Sequence, residues 1–260
     1  MSPLKDIKCF LLDMDGTFYL GDRIIPGSLE FIDKVVSSGR DFLFLTNNSS
    51  HNAPFYVKRL EKMGLSVTRD KILTSGEAAC DYLNSAFQGK RVFCLGNEFL
   101  KQELTEAGIV IDESDPDLVL IGFDTTLDYK KMCAVCDLVR AGLPYVATHP
   151  DYNCPTETGF IPDIGAIIAF IEASAARRPD VIIGKPYSGI VDAALKRTGC
   201  SKAQLAMVGD RLYTDIKTGN VNEMMSILVM SGETTPAMAA ESPIKPTLSF
   251  DRLYDMVPLL

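Results

Sequence analysis

Short apolar runs alternate with amphipathic segments along the whole chain. The segments repeat their apolar residues at helical spacing, whereas the runs are too short to be helices. This alternation predicts an α/β protein in which parallel strands are covered by helices on both faces. The predicted strands cover residues 7–12, 42–45, 72–73, 91–95, 118–121, 145–147, 181–183 and 205–208.

The helix limits follow from residues that start and stop helices. The tripeptide Pro26-Gly27-Ser28 opens a helix that ends at Gly39. Its predicted apolar face consists of Leu29, Ile32, Val35 and Val36. Residues 18–25, before it, predict a small hairpin or flap. Four more helices are predicted. They cover residues 53–63, begin at a Ser75 cap, cover residues 98–107, and run from Asp128 to Gly142.

Polar residues follow four of the predicted strands directly. The four strand tips read DMDGT at 13–17, TNNS at 46–49, GKP at 184–186 and GDR at 209–211, and Asp215 follows the last of them. Ligands of open α/β sheets bind at the carboxyl ends of the strands. Together the tips offer a nucleophilic carboxylate, hydroxyl and backbone donors, a fixed cation and acidic metal ligands. The pattern therefore indicates phosphoryl chemistry.

Each strand tip also has an ordinary structural explanation. The first can be an Asp-Gly turn, the second a polar lead-in to a helix, and Lys185 a solvated loop residue. Asp210 and Asp215 can be a turn residue and a helix N-terminal charge. The functional interpretation is favoured because all four tips occur in one order in one chain.

On these motifs the chain resembles the haloacid dehalogenase (HAD) superfamily over nearly its full length. Asp13 and Thr46 are 33 residues apart, but Thr46 and Lys185 are 139 residues apart, so a domain must be inserted there. The resemblance implies a Rossmann-like three-layer core with a parallel sheet and an inserted α/β type II cap, as in the NagD-like subclass IIA. The core is predicted over residues 1–80 and 178–260, and the cap over residues 81–177.

The resemblance also implies a role for each acidic residue. Asp13 is the predicted nucleophile, which attacks the phosphorus of a phosphate monoester and forms an aspartyl phosphate. Asp15 is the predicted acid and base, and its backbone carbonyl contacts Mg²⁺. The carboxylates of Asp13 and Asp210 are the other predicted Mg²⁺ ligands. Asp215 lies behind them and orients waters or Lys185.

The remaining predicted site residues bind phosphate or substrate. Thr46 offers its hydroxyl and Asn47 its backbone N–H to the phosphoryl oxygens, with Asn48 beside them. Lys185 and Arg211 supply positive charge. Thr46 and Lys185 count among the catalytic residues because positioning and charge do most of the work in phosphoryl transfer.

Three functions remain open at this point. A Mg²⁺-dependent phosphatase of small phosphate monoesters, such as nucleoside monophosphates or sugar phosphates, needs Asp15, and dehalogenases of the same superfamily lack this second aspartate. A phospho-accepting signalling receiver uses similar residues, but such a domain is about half as long. A phosphometabolite-binding protein without efficient turnover is the third function. The complete acidic set favours the phosphatase.

The charge and hydropathy of the chain exclude several partners. It has 34 acidic and 26 basic residues, a net charge of −8, and no run of Lys or Arg to bind a phosphate backbone. Nucleic acid is therefore not an expected partner. Neither a signal segment nor a stretch of 18 uncharged apolar residues is present, so we expect a cytoplasmic protein with no membrane partner. The oligomeric state is open, and a homo-oligomer is allowed.

Cysteine and histidine are poor candidates for the chemistry. The seven cysteines are odd in number and scattered, which is typical of reduced thiols. Cys133 and Cys136 have C-x-x-C spacing, but a helical pattern surrounds them and no second pair follows at zinc-site spacing. His51 is predicted near a helix start. With His149 as the only other histidine, a histidine-based site is hard to build.

The inserted domain should supply the contacts to the leaving group. We expect them in residues 149–165. In this segment His149 stands where the related branch usually has asparagine, which puts the local loop conformation in question. Residues 219–224 lack the small Gly-Ala-Gly run of such proteins, so the helix there is expected to end differently. The candidate leaving-group residues are Asp151, Tyr152, Asn153, Thr156, Glu157 and Asp163.

Overall fold

The computed structural model describes residues 2–156 and 158–260. Glu157, one of the candidate leaving-group residues, lies outside the described residues. The strands are β1 Cys9–Leu12, β2 Tyr19–Leu20, β3 Arg23–Ile24, β4 Asp41–Thr46, β5 Ile72–Thr74, β6 Val92–Leu95, β7 Leu118–Ile121, β8 Tyr145–Ala147, β9 Asn153–Thr156, β10 Gly159–Pro162, β11 Val181–Ile182, β12 Leu205–Gly209, β13 Met225–Val229 and β14 Leu248–Phe250. The α-helices are α1 Ser28–Ser37, α2 Ala53–Lys62, α3 Ser75–Ala86, α4 Glu98–Glu106, α5 Tyr129–Arg140, α6 Ile164–Ala175, α7 Ser188–Thr198, α8 Lys217–Val221 and α9 Pro236–Glu241.

The chain forms two compact units. The first unit comprises residues 2–46, 56–73 and 185–260, and the second comprises residues 47–55 and 74–184. The predicted α/β class is confirmed, because each unit contains a parallel sheet and helices connect its strands. The predicted division of the chain near residues 80 and 178 stays a prediction.

The six-stranded sheet of the first unit has the order β14-β13-β12-β1-β4-β5. β1 lies between β12 and β4 and pairs in parallel with both, so that Leu12 is level with Val208 and Phe44. All four residues of β1 are buried, as expected for a central parallel strand. β1 and β12 therefore end side by side, and each is followed directly by an aspartate.

Helix α1 packs on this sheet by a face that differs in part from the predicted one. Its buried residues are Ser28, Phe31, Ile32 and Val35, whereas Val36 is 57% exposed. Positions three and four residues apart share a helix face, and Phe31 belongs to that stripe better than Val36 does. The ring of Phe31 meets the Phe10 ring edge-on, with 5.5 Å between centroids.

The sheet of the second unit is four-stranded, with the parallel order β11-β8-β7-β6. β11 pairs with β8, with Val181 level with Val146, so the strand before the GKP motif belongs to this sheet. A separate antiparallel hairpin, β9–β10, precedes α6. The core between the four-stranded sheet and helices α5 and α6 includes Val119, Tyr145, Ile164 and Ile171.

The structure corrects the predicted cap of α3 and places the C-x-x-C pair on a helix. The cap of α3 is Thr74 and not Ser75, because the Thr74 hydroxyl accepts from the Glu77 N–H at 2.9 Å. The Ser75 hydroxyl instead donates to the backbone carbonyl of Asn47. Cys133 and Cys136 both lie on α5, and none of the cysteines in the described residues forms a disulfide.

Helix α8 is only five residues long and ends at Val221. Glu223 follows with a φ of +59°, in the left-handed region, which reverses the chain into β13. The described residues contain no helix that is both long and apolar enough to cross a bilayer.

Candidate active site

The turn after β1 carries the first two predicted catalytic residues. Asp13 continues the strand pairing, because its backbone N–H donates to the Val208 carbonyl at 2.9 Å. The chain then turns at Gly16, whose φ of +83° lies in the region that favours glycine. A β-carbon at Gly16 would lie 2.4 Å from Asp210 Oδ2. The absence of a side chain therefore lets the turn approach the tip of β12.

A loop after β13 joins the tips of β1 and β12. The Glu233 N–H donates to Asp210 Oδ2 at 2.7 Å, and the Thr234 hydroxyl donates to the Asp210 carbonyl at 2.5 Å. In the same loop, the Ser231 hydroxyl donates to the Gly16 carbonyl at 2.8 Å. Asp210 is 2% exposed, so these contacts fix a buried carboxylate.

Sequence reasoning missed this loop and also missed Arg59. The loop needs a glycine at position 232, because a β-carbon there would lie 2.0 Å from Asp210 Oδ2, and this close approach is visible only in the structure. Arg59, on α2, donates to the Gly21 carbonyl at 2.9 Å and lies over the ring of Tyr19. No local pattern distinguishes Arg59 from an ordinary surface residue of an amphipathic helix.

A single π-helical turn, Leu212–Ile216, follows the tip of β12. The Ile216 N–H donates to the Arg211 carbonyl, five residues back, at 3.1 Å. The turn places Asp215 against Gly209, where a β-carbon would lie 2.2 Å from Asp215 Cγ. The Arg211 N–H donates to Asp215 Oδ2 at 3.1 Å and fixes the carboxylate there.

Lys185 lies between two of the aspartates. Its Nζ donates to Asp13 Oδ1 at 2.5 Å and to Asp215 Oδ1 at 2.7 Å. Burial alone would lower the pKa of Lys185, but Asp13 and then Asp215 outweigh burial and hold the pKa above its usual range. Lys185 is thus a fixed positive charge beside the predicted nucleophile.

The carboxylates of Asp13, Asp210 and Asp215 form one cluster, with one oxygen of each within 4.8 Å of the others. Burial, and then the charges of Asp13 and Asp215, raise the pKa of Asp210 to about 7. Burial also raises the pKa of Asp215, despite the opposing charge of Lys185. Three crowded carboxylates, two of them buried, suit a hard cation, and the all-oxygen donor set fits Mg²⁺. Which of these residues ligate a metal stays a prediction.

Asp15 is only partly buried and stands apart from that cluster. Burial, and then the neighbouring charge of Asp13, raise the pKa of Asp15, while Arg59 and Arg211 oppose the shift. A carboxyl group with a raised pKa holds its proton at higher pH, which suits a general acid.

Arg211 is held by a neighbouring carboxylate. Its Nε lies 3.1 Å from Glu233 Oε2, and the Tyr213 hydroxyl donates to the same oxygen at 3.1 Å. Burial would lower the pKa of Arg211, but Asp13 and Asp210 keep it above its usual range. The first unit therefore brings together Asp13, Asp15, Lys185, Asp210, Arg211 and Asp215.

The TNNS motif is divided between the two compact units. Thr46 ends β4 in the first unit and is buried, whereas Asn47 and Asn48 belong to the second unit. The amide of Asn47 donates to Asp151 Oδ2 at 3.0 Å. The side-chain oxygen of Asn48 accepts from the N–H and the hydroxyl of Ser50, at 2.8 and 2.7 Å, and thereby stabilises a local turn.

His149 is completely buried and belongs to a chain of hydrogen bonds in the second unit. The Phe123 N–H donates to Ser49 Oγ at 2.9 Å, and Ser49 Oγ lies 3.0 Å from Thr148 Oγ1. Thr148 Oγ1 lies 3.0 Å from His149 Nδ1, and His149 Nε2 lies 3.0 Å from Asp163 Oδ1. One order satisfies every group: each hydroxyl donates to the next atom, and a neutral His149 donates from Nε2. His149 therefore connects Thr148 to Asp163 within this buried chain of hydrogen bonds.

The candidate leaving-group residues differ in exposure. Tyr152, Asn153 and Thr156 are exposed on or beside β9, and Asp151 is partly buried. Asp163 is buried, and its carboxylate accepts from the Ile164 N–H as the cap of α6. The Asp163 carboxylate therefore contacts both His149 Nε2 and the Ile164 N–H.

Two protein-family models match this chain, and their ranges together contain all four strand-tip motifs. A family model described as haloacid dehalogenase-like hydrolase matches residues 10–110, and one described as HAD-hydrolase-like matches residues 182–256. The first range contains the DMDGT and TNNS motifs, and the second contains GKP and GDR.

Known proteins are similar to this chain over nearly their whole length. The acid sugar phosphatase of Staphylococcus aureus (strain MRSA252) is 35% identical over 255 residues, which cover 98% of both chains. A crystal structure of 4-nitrophenylphosphatase from Thermotoga maritima is 46% identical, with a TM-score of 0.96 over 98% of both chains. NagD from E. coli K-12 is 30% identical, with a TM-score of 0.89 over 96% of this chain and 98% of that one.

Proposed function

We propose that this chain, which belongs to the NagD-like branch of the HAD superfamily and is a phosphatase of that type, hydrolyses small phosphate monoesters through an aspartyl-phosphate intermediate. The proposal includes dependence on Mg²⁺. It rests on one observation above the others, namely that Asp13 lies at the tip of the central strand within 2.5 Å of Lys185 and within the carboxylate cluster.

In the first step, an Asp13 carboxylate oxygen attacks phosphorus in line and the bond from phosphorus to the leaving oxygen breaks. The Lys185 ammonium group lies 2.5 Å from Asp13 Oδ1 and places a positive charge beside the attacking carboxylate. Asp15 donates a proton to the leaving oxygen, in keeping with its raised pKa. The products of this step are an alcohol and a phosphorylated Asp13.

In the second step, Asp15 removes a proton from water, which attacks the phosphorus of the aspartyl phosphate. The bond from phosphorus to Asp13 breaks, inorganic phosphate leaves and the carboxylate is restored. Thr46, the Asn47 N–H and Lys185 would hold the phosphoryl oxygens during both steps. Arg211, which Glu233 anchors, adds positive charge near Asp15.

The carboxylates of Asp13 and Asp210 and the carbonyl of Asp15 would hold Mg²⁺, which when bound neutralises charge on the phosphoryl oxygens. Asp215 would act through Lys185, to which it is hydrogen bonded at 2.7 Å.

The primary test is hydrolysis of p-nitrophenyl phosphate in Mg²⁺ and in EDTA. We expect EDTA to abolish turnover, and Asp13→Asn to lower kcat/KM by at least about 10³-fold while thermal unfolding stays cooperative, because the nucleophile is lost. Asp33→Asn, an exposed position on α1, is the matched control and should keep full activity. Turnover by Asp13→Asn within tenfold of wild type would contradict the proposal.

Acid quench during turnover separates the proposed enzyme from a phospho-accepting or phosphate-binding protein. We expect mass spectrometry to find a phosphoryl group on the peptide that contains Asp13, at a level that decays within one turnover. A phosphoryl group that persists for many minutes would indicate a signalling protein. Binding of phosphate esters without hydrolysis would indicate a metabolite-binding protein.

Sugar phosphates and nucleoside monophosphates are the proposed substrates. The S. aureus relative is named an acid sugar phosphatase, which supports the first class. A screen of sugar phosphates, nucleoside monophosphates and pyridoxal phosphate in Mg²⁺ would rank them by kcat/KM. A preference for a folded phosphoprotein over every small ester would overturn this part of the proposal.

A further inference from the structure

We infer that Asp151 is a positioning residue for Asn47, and that it acts on phosphate binding through that asparagine and not through the leaving group. The inference rests on the proposed function, in which the Asn47 backbone N–H binds the phosphoryl group. The two residues are 104 positions apart in the chain and both lie in the second unit.

Asn47 is fixed from three sides. Its side-chain amide donates to Asp151 Oδ2 at 3.0 Å, and its backbone carbonyl accepts from the Ser75 hydroxyl. Its side-chain oxygen faces Gly184, where a β-carbon would lie 2.6 Å away. Asn47 is 6% exposed, so an amide group that lost its partner here would have little access to water.

Asp151 is itself held by backbone contacts. Its carbonyl accepts from the Gly165 N–H at 2.8 Å, in the first turn of α6. A β-carbon at Gly165 would lie 2.4 Å from the Pro150 carbonyl oxygen and 2.9 Å from that of Asp151. The helix therefore packs directly on the backbone of residues 150–151, and the Asp151 carboxylate starts from a fixed point.

The hydrogen bond between Asp151 and Asn47 is charge-assisted, since a carboxylate accepts from a neutral amide. When the acceptor is removed, the Asn47 side-chain amide loses this hydrogen bond, and the backbone of Asn47 can shift. Phosphate sites need their donors within about 0.5 Å of the productive position. The loss should therefore weaken every phosphate ligand to a similar extent.

A direct leaving-group role for Asp151 makes a different prediction. Substitution would then alter the ratio of kcat/KM between esters with different alcohols but would leave the affinity for inorganic phosphate unchanged. The positioning role predicts weaker phosphate binding with little change in those ratios. Inorganic phosphate, which has no leaving group, is the probe that separates the two.

The experiment compares Asp151→Leu, Asp151→Asn, Asn47→Ala and the double variant Asp151→Leu/Asn47→Ala in the full chain with Mg²⁺. Asp137→Ala, an exposed aspartate on α5, is the control. Calorimetry measures the Kd of inorganic phosphate, and steady-state kinetics measures its inhibition constant and kcat/KM for three esters.

For Asp151→Leu we expect phosphate affinity to fall by about tenfold, as loss of a charge-assisted hydrogen bond implies. Asp151→Asn keeps an acceptor oxygen and should stay within about threefold of wild type. The double variant should be no weaker than Asn47→Ala, because the two residues act as one. Additive losses, or ester ratios that change by more than tenfold with unchanged phosphate affinity, would overturn the inference.

A readout without turnover separates this inference from the proposed function. The side-chain NH₂ of Asn47 should give a protected amide signal in ¹⁵N NMR spectra, and Asp151→Leu should remove the protection while Asp137→Ala keeps it. If the wild type failed to hydrolyse any ester, the proposed function would fail, but the phosphate calorimetry and this signal would still decide the role of Asp151. An Asn47 signal that is unchanged in Asp151→Leu would contradict it.

Discussion

At the scale of single residues, Asp210 links the charge of the site to the stability of the fold. Burial and the neighbouring Asp13 and Asp215 raise its pKa to about 7, whereas an aspartate in an unfolded chain has a pKa near 3.9. Between about pH 4 and pH 7 the folded state therefore binds more protons than the unfolded state, so stability falls as the pH rises through this window.

We therefore expect the metal-free protein to have a higher Tm at about pH 5 than at about pH 8. Asp210→Asn cannot ionise and should flatten this slope. Calorimetric scans in EDTA would measure both. A Tm that rises steadily from pH 5 to pH 8 in the wild type, with the same slope in Asp210→Asn, would show that another group controls the pH dependence.

Tyr145 is a second residue that places a polar group, its hydroxyl, in the buried core. Its side chain is fully buried, and no described residue forms a hydrogen bond with its hydroxyl. A buried unpaired hydroxyl costs about 1–3 kcal/mol, and phenylalanine keeps the ring without the hydroxyl. We expect Tyr145→Phe to increase the free energy of unfolding by about 1 kcal/mol, as measured by urea denaturation. Tyr213→Phe, at an exposed position, is the control and should not increase stability. A loss of stability in Tyr145→Phe would indicate that the Tyr145 hydroxyl has a hydrogen-bond partner after all.

At the scale of elements, the turn after β1 depends on a missing side chain. Gly16→Ala places a β-carbon 2.4 Å from Asp210 Oδ2 at a φ of +83°, whereas Gly39→Ala meets the same kind of φ, +77°, with nothing within 4 Å. Both should lose about 1 kcal/mol from backbone conformation. Only Gly16→Ala should also lose Mg²⁺ affinity and turnover. Equal effects of the two variants on activity would exclude the close approach as the cause.

The strand tips were predictable because each motif adjoins an apolar run, and a short apolar run that ends in polar residues marks the end of a strand. The apolar face of α1 was less predictable, because residues 29, 32 and 36 share helical spacing just as residues 28, 31 and 35 do. Packing on the sheet selects the second stripe, which contains Phe31 and not Val36. The cap of α3 moved from Ser75 to Thr74 because the Ser75 hydroxyl has a partner in Asn47. Contacts between distant residues, such as Asp151 with Asn47, leave no trace in local spacing.

At the scale of the whole molecule, the proposed metal site lies in one of two compact units. Mg²⁺ that binds only the folded state stabilises it by about 2.7 kcal/mol at a concentration of 100 Kd. We expect hydrogen exchange to show added protection in Cys9–Leu12 and Leu205–Gly209, and little change in Val92–Leu95 and Leu118–Ile121.

Asp210→Asn is the control for this experiment, because it removes a predicted ligand and should abolish the added protection. Equal protection of both sheets by Mg²⁺ would mean that the two units unfold together or that the ion binds elsewhere.

The spacing of the motifs was enough to predict that a domain is inserted, because a connection of 139 residues is too long to lack structure of its own. The sheet to which residues 181–183 belong could not be predicted. A short apolar run has no feature that chooses its neighbour, and in the structure Val181–Ile182 extends the four-stranded sheet beside β8.

The π-helical turn Leu212–Ile216 has a consequence for how this sequence should be aligned and engineered. The turn holds one residue more than an α-helical turn, and successive residues of an α-helix are about 100° apart around the axis. Deletion of one residue between Arg211 and Asp215 would shorten the chain without breaking a recognisable motif, yet it would rotate the carboxylate away from Gly209 and Lys185. An alignment gap of one position at this point therefore separates sequences that keep the acidic partner of Lys185 from sequences that have lost it.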